Sequence, residues 1–73
     1  MQILLNKGNH KMMVSSQVDE VSMISWVPDK STKDKFITGV RTELMGSDKN
    51  ARIFLRRFVR MLESNGYKIS FQK

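Results

Sequence analysis

The longest regular alternation of apolar and polar residues runs from Ser47 to Gly66. When successive residues are placed about 100° apart, as in a helix, its main apolar residues share one side. They are Ala51, Phe54, Leu55, Phe58 and Leu62. Ser47 or Asp48 can accept hydrogen bonds from the free N–H groups of the first turn, and Asn65 or Gly66 suits the left-handed residue that ends a helix. The pattern predicts a helix over 48–65 with one buried face.

The first part of the chain has shorter patterns, which are typical of strands. Gln2–Leu5 and Lys11–Ser16 are separated by the turn formers NKGNH, which predicts a hairpin with a loop of about five residues. The β-branched and aromatic run Val21–Val27 predicts a third strand, and Pro28 predicts its end. The segment 15–20 fits either a brief helix or a turn.

Two further elements complete the predicted fold. Apolar residues at helical spacing, followed by Gly46, predict a helix over Thr32–Met45. They are Phe36, Ile37, Val40 and Leu44. Residues 67–72 alternate with a period of two, which predicts a half-buried strand. Its apolar residues are Tyr67, Ile69 and Phe71.

These elements predict a small α+β fold of the order β-β-β-α-α-β, in which an antiparallel sheet packs against two helices. We expect the 73 residues to form a single domain over 1–73. The predicted core lies between the helices and the sheet. It consists of Phe36, Val40, Leu44, Phe54, Leu55, Phe58 and Leu62.

The net charge of +6 is unevenly distributed along the chain. In residues 1–30 three lysines balance three acidic residues, whereas residues 31–73 contain ten basic and four acidic side chains. The whole excess therefore lies in the second part of the chain. A basic and asymmetric chain favours nucleic acid or another polyanion as a partner.

Most of this excess lies on one side of the predicted 48–65 helix. Lys49, Arg52, Arg56 and Arg60 form an outer arc, which we call the basic ridge. Arg57 flanks the ridge, and Arg41 can support it. Like charges at i, i+4 repel by a few tenths of a kcal/mol, and we expect Glu63, three residues after Arg60, to be the acidic residue that offsets them. The ridge therefore indicates an anionic partner.

The sequence predicts a small non-enzymatic regulatory or accessory protein that binds the phosphate backbone of a nucleic acid through this ridge. The alternative is a protein-binding module, an inhibitor or adaptor whose basic helix docks on an acidic surface. A third interpretation is a solvated face that maintains solubility. Phosphate contacts supply affinity without sequence information, so the charge pattern does not distinguish DNA from RNA.

Other kinds of function find little support in the sequence. His10 is the only histidine and there is no cysteine, and no P-loop, GxGxxG, HExxH or GxSxG motif is present. We therefore expect no enzyme activity, no metal and no cofactor. The first residues contain only the short apolar run Ile3–Leu5, too short for a signal or membrane segment, so we expect a cytoplasmic protein without a membrane partner.

The sequence also predicts self-association. Val21–Val27 has large apolar side chains on both of its alternating faces and no charge to protect an open sheet edge. We therefore expect a symmetric homodimer that uses this strand or the apolar flanks of the helices.

The order strand, Pro28, helix, Gly46 and Ser47-capped helix over residues 21–65 resembles the ribbon-helix-helix repressors. The resemblance implies a dimer whose paired strands enter the DNA major groove. The candidate ribbon VSMISWV has no basic or amide side chain to read base edges, and the arginines lie on the second helix instead. The resemblance is therefore a minor alternative.

Overall fold

The computed structural model describes residues 1–29, 31 and 34–73. They form a five-stranded antiparallel sheet, in the order β4-β3-β2-β1-β5, and one helix. The elements are β1 (Gln2–Lys7), β2 (His10–Gln17), β3 (Glu20–Asp29), β4 (Asp34–Leu44), α1 (Asp48–Ser64) and β5 (Lys68–Gln72). The prediction of a small α+β fold is confirmed, although its element order is wrong at one position.

The predicted first hairpin is confirmed, with a tighter turn. The pairs Gln2↔Ser15 and Lys7↔His10 mark the two ends of the β1–β2 ladder. Both strands continue further than the apolar pattern indicated, so the turn contains Gly8 and Asn9 instead of five residues. Gly8 has a φ of 58°, which a glycine adopts without a steric cost.

The ambiguous segment 15–20 contains the turn between β2 and β3, so the brief helix is wrong. Val18 and Asp19 form this turn, and Val18 has a φ of 56° with its side chain exposed. A β-branched residue is strained in this left-handed region. The third predicted strand is confirmed as β3, but it does not end at Pro28. The β2–β3 ladder ends at Lys11↔Trp26, so Pro28 pairs with β4 alone, where a missing N–H is tolerated.

The predicted helix over Thr32–Met45 is wrong, because residues 34–44 form strand β4. These residues satisfy helical spacing, but they are rich in β-branched side chains, and β3 provides a pairing partner along their whole length. The predicted turn residue Lys30 and the predicted helix start at Thr32 lie outside the described residues. The order of elements that supported the ribbon-helix-helix resemblance is therefore absent from the described part of the chain.

The second predicted helix is confirmed as α1. Ser47 is its N-cap, and its side chain accepts a hydrogen bond from the Asn50 N–H at 3.1 Å. At the other end, the Tyr67 N–H donates to the Leu62 carbonyl and the Gly66 N–H donates to the Glu63 carbonyl. With Gly66 at a φ of 95°, this is a Schellman motif, which satisfies carbonyls that the helix leaves free.

The last predicted strand is confirmed as β5, but its two apolar residues lie on different faces. Ile69 is opposite Leu5 and Phe71 is opposite Leu4, so Ser70 forms a bulge in the ladder. The bulge sends Ile69 towards the helix and Phe71 to the opposite face of the sheet. All five residues of β5 are exposed, so the prediction of a half-buried strand is wrong.

The core lies between α1 and the central strands. It consists of Ile3, Leu5, Val14, Val21, Met23, Ala51, Leu55, Val59 and Leu62. Leu55 and Leu62 of the predicted core are buried, and Phe54 and Phe58 are half-buried against them. The three predicted core residues of β4 are exposed by 62–74%. They lie on the edge strand, which α1 does not cover.

This placement predicts opposite outcomes for two leucines. Leu55→Ala should lower the free energy of unfolding by about 2–5 kcal/mol, because Leu55 is fully buried. Leu44→Ala should change it by less than about 0.5 kcal/mol, because Leu44 is 74% exposed. Urea denaturation followed by circular dichroism measures both, and a large loss for Leu44→Ala would contradict the position of β4.

Val18 provides a second prediction. Val18→Asn should raise the free energy of unfolding by about 1 kcal/mol, because asparagine tolerates the left-handed conformation that strains valine. The exposed side chain makes no contribution to the core. Val40→Asn is the matched control: Val40 is equally exposed but lies in a regular strand, so the change should lower stability. Equal effects of the two substitutions would argue against strain at Val18.

Candidate functional site

The basic ridge lies along the flank of α1 that faces β1 and β5. The buried residues Ala51, Leu55, Val59 and Leu62 define the underside of the helix. All four ridge residues are exposed. Arg56 and Arg60 line a shallow groove together with Ile69 and Gln72 of β5. The ridge is therefore one wall of an open groove whose other wall is the β5 edge of the sheet.

The charges of the ridge are only partly neutralised. Arg52 Nε lies 3.1 Å from Asp48 Oδ2, an exposed i, i+4 ion pair, which is a weak interaction. Within the described residues, no ion pair involves Lys49, Arg56 or Arg60. Glu63 lines the same groove as Arg56 and Arg60 but forms no ion pair there with another described residue. The C-terminal part of the ridge thus presents two exposed guanidinium groups.

Arg57 and Arg41 have different positions relative to the ridge. Arg57 is exposed on the outer surface of α1, three residues from Arg60, and therefore adjoins the ridge. Arg41 lies on β4 and binds Glu43, with 2.6 Å from its Nε to Oε1. It lines a second groove, beside Phe58, on the other flank of the helix. The structure separates Arg41 from the ridge that it was expected to support.

Lys7 is a cation of this surface that the sequence did not reveal. Its ammonium lies 5.8 Å from the centre of the Tyr67 ring, and its side chain contacts the position of Gly66. Lys7 therefore stands on β1 beside the C-terminal end of α1. The pairing of β1 with β5 brings it there, and no local pattern in the sequence indicates that pairing.

The opposite flank of α1 is apolar. Phe54 and Phe58 stack with their ring centres 6.0 Å apart, and Phe58 lines the second groove with Met12 and Met23. Exposed Met61 continues this flank towards the helix end. The helix thus has a basic flank facing β5 and an apolar flank facing β4.

Other kinds of site have no support in the described part of the chain. Residues 1–29, 31 and 34–73 contain no group of three or more histidine or carboxylate side chains placed to hold a metal ion. None of the helical structure described is long and apolar enough to cross a membrane. Comparisons with protein-family models, curated sequences and solved structures gave no significant match to this chain.

Proposed function

We propose that this chain is a small non-enzymatic regulatory or accessory protein that binds the phosphate backbone of a nucleic acid through the basic ridge. The observation that carries the proposal is the pair Arg56 and Arg60, which stand exposed in one groove without an ion pair to any described residue. Two adjacent unneutralised guanidinium groups repel each other, and phosphate oxygens relieve that repulsion through charge-assisted hydrogen bonds.

The spacing of the ridge supports a backbone ligand. Successive ridge arginines are four residues apart, which is about 6 Å along the helix axis. Each strand of a duplex carries one phosphate per about 3.4 Å of helix axis, so phosphates are close enough together for successive ridge arginines to meet different ones. Lys7 adds a cation beside the end of the helix. Such contacts fix the position of the strand without reading its bases.

The second candidate is a protein-binding module, an inhibitor or adaptor that docks on an acidic protein. The exposed apolar side chain of Ile53 favours it, because Ile53 lies on the helix beside the ridge arginines. A phosphate backbone gains nothing from Ile53, whereas an interface of acidic and apolar residues would bury both Ile53 and the arginines. The two candidates make different predictions for the same variants.

The main test is the double variant Arg56→Ala with Arg60→Ala. We expect weaker binding to all duplex sequences alike. In a plot of log affinity against log salt, the wild-type slope should be about −3 to −4, and the variant should flatten it by about two. Fluorescence anisotropy with random duplex and single-stranded oligonucleotides over a salt series measures both. The fold should remain intact, because both side chains lie outside the core.

The matched control is Lys11→Ala with Lys68→Ala, which removes the same charge from the other face of the sheet. This variant should bind almost as the wild type does. Equal weakening by the control would show that net charge alone drives binding, which contradicts a site at the ridge. Wild-type protein that binds nucleic acid no better than an unstructured basic peptide would favour the acidic-protein candidate.

Asp48 provides a prediction of opposite sign. Asp48→Asn removes the ion-pair partner of Arg52 and a negative charge beside the ridge. Affinity for nucleic acid should rise by about two- to fivefold, in line with a weak exposed ion pair. Glu43→Gln, which frees Arg41 on the other flank, is the control and should change affinity little. A fall in affinity for Asp48→Asn would exclude Arg52 from the site.

A further inference from the structure

The face of the sheet opposite α1 carries an uninterrupted apolar row across all five strands. Paired positions in antiparallel strands point to the same side of the sheet, and the registers Phe71↔Leu4, Leu4↔Met13, Met13↔Ile24 and Ile24↔Val40 join into one line. We call these five residues the apolar row. Phe71 is 51% exposed and Val40 is 69% exposed. No element of the described chain covers them.

The rows on each side of the apolar row differ in chemistry. Towards one end of the strands lie the small polar residues Ser15, Ser22 and Thr42, with Glu20 one row further. Towards the other end lie Lys11, Trp26 and Lys68, with Lys35 one row further. Lys35 itself stands over the Trp26 ring, at 4.8 Å from its centre. The face is thus apolar in the middle, with Glu20 and the exposed Leu44 at one end and three lysines towards the other.

The apolar row is complementary to itself. A twofold axis along the row reverses the strand direction of a second copy and lays its row on the first. Met13, on the central strand, then meets the second copy's Met13. Lys11 meets the second copy's Ser15, and Glu20 meets the second copy's Pro28, beside Lys35. A twofold interface requires such self-complementarity.

The size of the face is sufficient for a stable dimer. The molecule measures 41 × 22 × 19 Å, so its broad face lies within a rectangle of about 900 Å². A standard interface buries about 800 Å² of each partner. Sheets that pack face to face also keep their strands within about 30° of each other. The proposed axis aligns the strands of the two copies in this way near the centre of the row.

We propose that a second copy of this chain docks on the open face, sheet against sheet, along the apolar row. The two helices then lie on the outside, and both basic ridges remain accessible. Aliphatic side chains predominate in the row, which favours a protein surface over stacked bases as its occupant. The inference does not depend on the ridge, because the two surfaces are on opposite sides of the sheet.

The test is sedimentation equilibrium over a concentration series, with the fold checked by circular dichroism. The wild type should be a dimer. Val40→Lys with Phe71→Lys should raise the dissociation constant by about 100-fold or more, because each change occurs twice in a twofold interface. Both side chains are exposed in the single chain, so the variant should fold. Phe36→Lys, on β4 but on the helix side, is the matched control and should leave association unchanged.

A charge exchange tests the orientation of the two copies. Ser15→Lys alone should weaken the dimer, because Ser15 faces the second copy's Lys11, and adding Lys11→Glu should restore it. Failure of the second change to restore association would overturn the proposed axis. A wild type that remains monomeric at every concentration would overturn the dimer itself. So would a Phe36→Lys variant that dissociates as much as the variant with Val40→Lys and Phe71→Lys. If Val40→Lys with Phe71→Lys leaves the molecular mass unchanged but lowers the affinity for single-stranded DNA, the occupant of the open face is nucleic acid and not a second copy.

Discussion

The contact of one helix with the middle of a five-stranded sheet is the interaction on which the rest of this structure depends. A helix is about 10 Å wide and strands lie about 4.8 Å apart, so α1 covers roughly two or three strands. Leu55 and Leu62 complete the core there with Leu5 and Val14. The two edge strands extend past the helix, and the opposite face of the sheet has no cover among the described residues. Both candidate surfaces follow from this geometry.

The two surfaces are separated by the thickness of the sheet. The basic ridge faces the β5 edge on the helix side, whereas the apolar row crosses the other side. The charge of the basic ridge is therefore kept away from the face proposed to associate. If both proposals hold, a dimer would present two ridges on opposite outer surfaces, and two nucleic-acid segments could be held by one assembly. Avidity would then depend on whether a single strand can reach both ridges.

The sequence predicted the elements whose signals are local and missed those that depend on a partner. The caps and the 3.6-residue period of α1 lie within the element itself, so the helix and its ridge were predictable. The apolar residues of 34–44 fit the spacing of a helix, and the β-branched residues there also favour a strand. The pairing with β3 decides in favour of the strand. Because β4 was predicted as a helix, Arg41 was also expected in the wrong place, beside the basic ridge. Lys7 and the Ser70 bulge were missed for the same reason, since each depends on β5 pairing with β1.

That pairing has a consequence for the order of folding. Strands β1 to β4 are separated by only a few residues each and can form on contacts between neighbours, but β5 must return to β1 from the far side of the helix. Backbone hydrogen bonds of 2.8 and 2.9 Å join Gln2 to Lys73 at this seam. The entropy of closing so long a loop grows only slowly with its length, yet contacts this distant in sequence slow folding. During synthesis, β1 would therefore remain an unpaired edge until the last strand has emerged, and this edge is where a nascent chain is most exposed to incorrect pairing.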